Sequence, residues 1–170
     1  MPLDPPALRL FVALWPCARS RAALAERQRG LHWPAAARRV AAADLHLTLA
    51  FIGAVPAGRL DAVRSATTLP SFDVALVLDR FELWNGGTVV LRPSTVPDVL
   101  IDLQARLVAS LQAAALPCDR RPFVPHVTLG RKAKGLDCVG VAPVCWRSTG
   151  QVLARSVGGR YSAVARSLAG

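Results

Sequence analysis

The pattern His, apolar residue, Thr, Leu occurs twice, as "HLTL" from His46 and as "HVTL" from His126, about half a chain length apart. Each copy lies in a short apolar run, "DLHLTLAFIG" and "PFVPHVTLG", with the length and composition of a buried strand. Side chains alternate faces along a strand, so His46 and Thr48 project to one side while Leu45, Leu47 and Leu49 project to the other. The same parity sets His126 and Thr128 against Val127 and Leu129. Each strand therefore lays an apolar face on a core and presents imidazole and hydroxyl elsewhere, which points to a cleft shared by both. With seven threonines in 170 residues, chance places a threonine two positions after a histidine about 4% of the time, so two such coincidences among three histidines are a poor explanation. The third, His32 in "GLHWP", reads as an ordinary locally satisfied histidine.

The rest of the chain fits α+β with antiparallel sheets. Leu8 to Leu14 is suited to a buried strand that Pro16 terminates, and Arg19 to Arg29 has helical character with Gly30 as its stop. Leu45 to Ile52 follows as a strand, then "GAVPAG" as a turn and a helix around Arg59 to Ala66. Phe72 to Leu78 and Val89 to Leu91 read as the strands flanking the turn "WNGG", in which Asn85-Gly86 is a hairpin signal. Val99, Leu100, Leu103, Leu107 and Leu111 recur at helical spacing and predict the longest helix from about Pro97 to Ala115. Val124 to Gly130 and Val152 to Ser156 complete the strands. No GxGxxG loop, low-complexity segment or domain boundary occurs, so residues 1–170 read as one domain of two similar halves.

Twenty-one basic against eleven acidic residues give a formal charge of +10, which favours a polyanionic partner such as nucleic acid. All the basic residues but Lys132 and Lys134 are arginines, and an Arg and Ala bias also arises from a GC-rich genome. No apolar run reaches the 18 residues of a membrane span, and the N-terminus carries no cleavage signal. Cys17, Cys118, Cys138 and Cys145 form no CxxC pair or zinc-finger spacing, so they read as reduced thiols of a cytoplasmic protein.

Two histidines facing one cleft can serve as base and acid, because the imidazole pKa lies near neutrality. Hydrolysis of a phosphodiester suits them: one takes a proton from water, the other protonates the departing ribose oxygen, and the threonine hydroxyls donate to non-bridging phosphate oxygens. The scheme needs no metal and no other cofactor. A metal site built from both histidines and Asp44 is the competing use, although HExxH and carboxylate clusters are lacking. Cysteine nucleophilic catalysis is a further alternative, with no cysteine beside a histidine in sequence.

The doubled motif resembles the twin HxTx signature of the 2H phosphoesterases. "LRLFVALWP", "DLHLTLAFIG", "FELWNGGTVVLRP", "RPFVPHVTLGRK" and "GRYSAVARSL" resemble, in order, one branch, the RNA 2',3'-cyclic phosphodiesterases once called 2'-5' RNA ligases. The resemblance implies a bilobal α+β fold, two antiparallel sheets related by a pseudo-twofold around a central cleft, with helices outside. It implies opening of a 2',3'-cyclic phosphate at an RNA end to a 2'-phosphomonoester without metal or nucleotide. Apart from the resemblance, the chain is expected to be a monomer that meets RNA ends, with no membrane and no protein partner. It assigns His46, Thr48, His126 and Thr128 to catalysis, with His46 as acid and His126 as base. Arg131, which follows the second motif, corresponds to a phosphate-binding arginine, yet simple alternation puts it opposite His126. A bulge at Gly130 would reconcile the two. Arg38 and Arg39 are further candidates for RNA, as are Phe11, Trp33 and Trp84 for stacking on a base, a role that competes with burial for each aromatic. Arg92 departs from the branch, where an uncharged residue is expected. Ligation, cleavage of another 2'-5' or cyclic nucleotide, and non-catalytic RNA binding are the alternative functions.

Overall fold

The computed structural model of the protein describes residues 7–140 and 142–167. The first apolar run forms β1 (Ala7–Leu14), in which Leu10, Val12 and Leu14 enter the main core while Phe11 and Ala13 point to the opposite face. The two-residue period of a strand sorts them. Next comes α1 (Ala18–Arg29), which buries Ser20, Leu24, Ala25 and Gln28 along one side and ends at Gly30. The two-residue β2 (Arg38–Arg39) precedes β3 (Leu47–Pro56), α2 (Leu60–Ala66), β4 (Val74–Leu78), β5 (Arg80–Trp84) and β6 (Thr88–Arg92). The longest helix, α3 (Asp98–Ala113), buries Leu100, Leu103, Leu107 and Leu111 at the expected spacing. The chain then forms β7 (Val127–Arg131), β8 (Val144–Ser148), β9 (Gln151–Val157) and β10 (Arg160–Ser167).

Eight strands share one antiparallel sheet, in the order β10-β9-β1-β3-β7-β6-β5 with β2 paired to β7; β4 and β8 form a separate two-stranded sheet. Two half-sheets, β10-β9-β1-β3 and β7-β6-β5, meet at the single pair Leu47↔Val127. Each of the two central strands begins one residue after a motif histidine. The expected α+β class holds, with helix α3 packed on β3 and α2, and α1 on β8. No helix among the described residues is long and apolar enough to cross a membrane.

Two strand assignments change. The "WNGG" turn joins β5 to β6, with Trp84 paired to Thr88, so Val74–Leu78 is not the partner of the following strand. It pairs instead with β8, Leu76 against Trp146, and its alternating burial reflects one face on the core and one in solvent. β5 escapes the apolar pattern because it carries Arg80 and Glu82, and β10 because it is a half-exposed edge strand of small residues and arginines.

Bulges re-aim side chains beside the histidines. Val90 pairs with Thr128 and Val89 with Gly130, so β7 spends two residues where β6 spends one. After the extra residue the alternation inverts, and Arg131 comes onto the face of Thr128. Gly130 turns toward the core, where an added Cβ would stand 2.4 Å from the Trp33 ring and 3.1 Å from the Arg38 carbonyl oxygen. Gly130→Ala is therefore expected to lower stability by about 1–3 kcal/mol, the usual penalty of overpacking. A urea midpoint equal to that of the parent protein would show that the ring moves aside freely.

Candidate active site

His46, Thr48, His126, Thr128 and Arg131 line one cleft of about 500 Å³. Register explains the convergence. Leu47 faces Val127 in an antiparallel pair, so continuing that register sets His46 across from Thr128 and Thr48 across from His126. His46 itself precedes the ladder, at the end of a 3-10 turn over Ala42–Asp44. Its Nδ1 lies 2.7 Å from the Asp44 carbonyl oxygen, and Nδ1 of His126 lies 2.7 Å from the Val124 carbonyl oxygen. A carbonyl only accepts, so in each ring Nδ1–H donates, and Nε2 is the nitrogen left to exchange a proton in the cleft.

The walls differ. Around His46 they are aromatic: Trp15 stacks on the imidazole at 4.7 Å and 19°, Tyr161 stands edge-on at 5.0 Å, and Phe11 lies at 5.1 Å. His126 meets one ring, Trp84, at 4.5 Å. Burial is the main influence holding both imidazoles below their ordinary pKa. For His46 the Asp44 carbonyl and carboxylate oppose it, while the charges of His126 and Arg131 reinforce it. For His126 the Val124 carbonyl and Glu82 oppose it, and Arg92 and Arg131 reinforce it. The Asp44 carboxylate, almost fully buried, faces Arg160 at 3.7 Å.

Of the other sequence candidates, Phe11, Trp33, Arg38 and Arg39 fall outside the cleft lining. Phe11 is only 2% exposed, covered by Trp15, His46, Phe51 and Tyr161, so it supports His46 and has no free face for a base. Trp33 lies over Gly130 and donates its indole N–H to the Gln28 carbonyl at 2.7 Å. Arg38 and Arg39 are exposed on β2, across from Arg131 and Gly130, and neither lines the cleft. Trp84 does line it, and His32 is exposed elsewhere. Sequence reasoning did not single out Trp15 or Tyr161. Trp15 shares the parity of Phe11 and Ala13, which could have marked it. Tyr161 is the one tyrosine of the chain, and only long-range pairing brings it to His46. Phe51, 48% exposed at the cleft, was hidden by the register shifts of β3 against β1. Among the described residues no three His, Cys, Asp or Glu side chains cluster to hold a metal.

A family model described as the 2'-5' RNA ligase superfamily matches residues 17–147. A curated RNA 2',3'-cyclic phosphodiesterase of Escherichia coli (strain K12) is 40% identical over 129 residues, covering 69% of this chain and 70% of that protein. The crystal structure of E. coli LigT in apo form superposes with a TM-score of 0.80 at 31% identity, over 95% of this chain and 96% of that one. A crystal structure described as a phosphoesterase gives a TM-score of 0.81 at 30% identity, over 94% and 97%.

Proposed function

The chain belongs to the 2'-5' RNA ligase superfamily, and from that premise we propose that it is an RNA 2',3'-cyclic phosphodiesterase that opens the cyclic phosphate at an RNA end to a 2'-phosphomonoester. The observation that carries the mechanism is the matched pair of imidazoles, each tied through Nδ1 to its own backbone two residues back and each lining the same cleft. Nε2 of His126 takes a proton from water as its oxygen bonds to phosphorus. The bond from phosphorus to O3' breaks, and the His46 imidazolium gives its Nε2 proton to that oxygen, leaving the phosphate on O2'. The Asp44 carboxylate favours the charged form of His46, which suits an acid. Thr48 and Thr128 donate to the non-bridging oxygens, and Arg131 adds a fixed positive charge where the pentacoordinate phosphorus gathers negative charge. We further infer one bilobal domain acting as a monomer in the cytoplasm without a protein partner, a compartment in keeping with four free thiols.

The test is incubation with an RNA oligonucleotide ending in a 2',3'-cyclic phosphate, with chelator present, followed by mapping of the product phosphate. The expected product carries a 2'-phosphate, at a rate the chelator leaves unchanged. Tight binding without turnover would make the protein an RNA-binding module. Turnover abolished by chelator would sink the two-histidine scheme, and a 3'-phosphate product would sink the choice of leaving oxygen.

A further inference from the structure

Behind Trp84, which lines the cleft beside His126, stands an ionic cluster that the motif does not contain and that lies outside the cleft lining. Glu82 on β5 and Arg92 on β6 meet through two hydrogen bonds, Arg92 Nη1 donating to Oε1 at 2.9 Å and to Oε2 at 2.8 Å. Glu82 Oε2 also accepts the indole N–H of Trp84 at 2.7 Å, and Oε1 faces Arg80 Nη2 at 3.1 Å. Trp84 in turn lies against the His126 ring at 4.5 Å. Strand register brings these groups together: Arg80 faces Arg92, Glu82 faces Val90 and Trp84 faces Thr88, while Val90 faces Thr128 on the next strand. The pair is sheltered, with side-chain exposures of 20% for Arg92 and 26% for Glu82.

We propose that Glu82 and Arg92 are positioning residues for His126: through their hydrogen bonds they fix the Trp84 ring on which the imidazole rests, and through their opposite charges they set its electrostatic surroundings. The proposal rests on the reading of His126 as the base. Charge accounts for the second half. Two guanidinium groups share one carboxylate, so the cluster is net positive, and Arg131 on β7 adds another cation. Of the other charged groups that line the cleft, the His46 imidazolium is of the same sign, Asp119 is paired with Arg121, and the Asp44 carboxylate faces Arg160. A net positive surrounding disfavours a second positive charge on His126. The half-site around His46 carries the opposite device, the Asp44 carboxylate. Two copies of one motif are thus made unequal by residues that lie outside it.

The experiment is a titration of the histidine ring signals by NMR in the free protein, for the parent and for E82Q, R92Q, R92K and the double variant E82Q/R92Q. Removing the carboxylate is expected to move the His126 midpoint down, and removing the guanidinium to move it up, each by about half a unit or more. The double variant is expected to return near the parent value, R92K to stay there, and the His46 midpoint to follow none of these changes. Displacements of E82Q and R92Q in the same direction, no displacement, or an R92K shift as large as that of R92Q would overturn the proposal. A base must be unprotonated, so the acid limb of kcat/KM on the cyclic phosphate should move with the His126 midpoint, to lower pH in E82Q and to higher pH in R92Q. Opposite NMR shifts with an unmoved limb would support the network and overturn His126 as the base. That result separates the failure of the functional reading from the failure of this one.

Discussion

Replacing His46 or His126 with alanine is expected to lower kcat/KM on an RNA 2',3'-cyclic phosphate by at least about 10²-fold, the lower end of what a positioned general acid or base supplies. The two losses should not multiply. If proton removal and proton donation belong to one displacement at phosphorus, the double variant should lie close to the poorer single variant, as happens where residues act as a unit. Kinetics of the three variants, each with a parent-like circular dichroism spectrum, check this. Either single variant keeping more than a tenth of the parental rate would remove that histidine from the chemistry. The fold control matters most for His46, because the rings of Trp15, Phe11 and Tyr161 pack on it.

The largest effect on stability should come from Trp146, which is 1% exposed on β8 and packs into the main core from the small second sheet. Truncation to alanine removes the bulkiest fully buried side chain and leaves a cavity, a change that ordinarily costs about 3–5 kcal/mol. Total stabilities of 5–15 kcal/mol make that a severe loss. Trp146→Phe should be far milder. The indole N–H is buried with no partner among the described residues, so phenylalanine removes an unsatisfied donor along with part of the ring. Urea unfolding of the two variants is the measurement. A loss below about 1 kcal/mol in Trp146→Ala would mean that the β4 and β8 sheet hangs on the core by other contacts.

What could be read from the chain was what depends on short spacing. His46 and Thr48, like His126 and Thr128, are two residues apart, and a two-residue period needs no knowledge of the fold to set their face. The leucine ladder of α3 was legible for the same reason. Pairing partners were not. Val74–Leu78 looked like half of the nearest hairpin because local sequence favours local pairing, yet its partner lies in β8, about seventy residues on. Arg131 sits between the two cases: alternation alone misplaced it, and Gly130 marked the position where alternation fails. Phe11 and Trp33 illustrate a different limit. An aromatic residue offers the same ring to a core and to a base, and here their rings are covered by His46, Trp15 and Tyr161 in one case and spent on Gly130 in the other. The Glu82 and Arg92 pair shows the converse, since the sequence marked Arg92 as out of place without showing what stands beside it.

The single antiparallel rung at Leu47 and Val127 has one more consequence. A half-turn about that rung carries each histidine onto the other and each threonine onto the other, so the bare motif is a lock that accepts the same key two ways round. An RNA end has polarity, with its chain leaving on one side of the ring phosphate and the terminal base on the other. The direction of entry is therefore written into the parts that break the symmetry, the aromatic wall on one side and the single Trp84 ring with the ionic cluster behind it on the other.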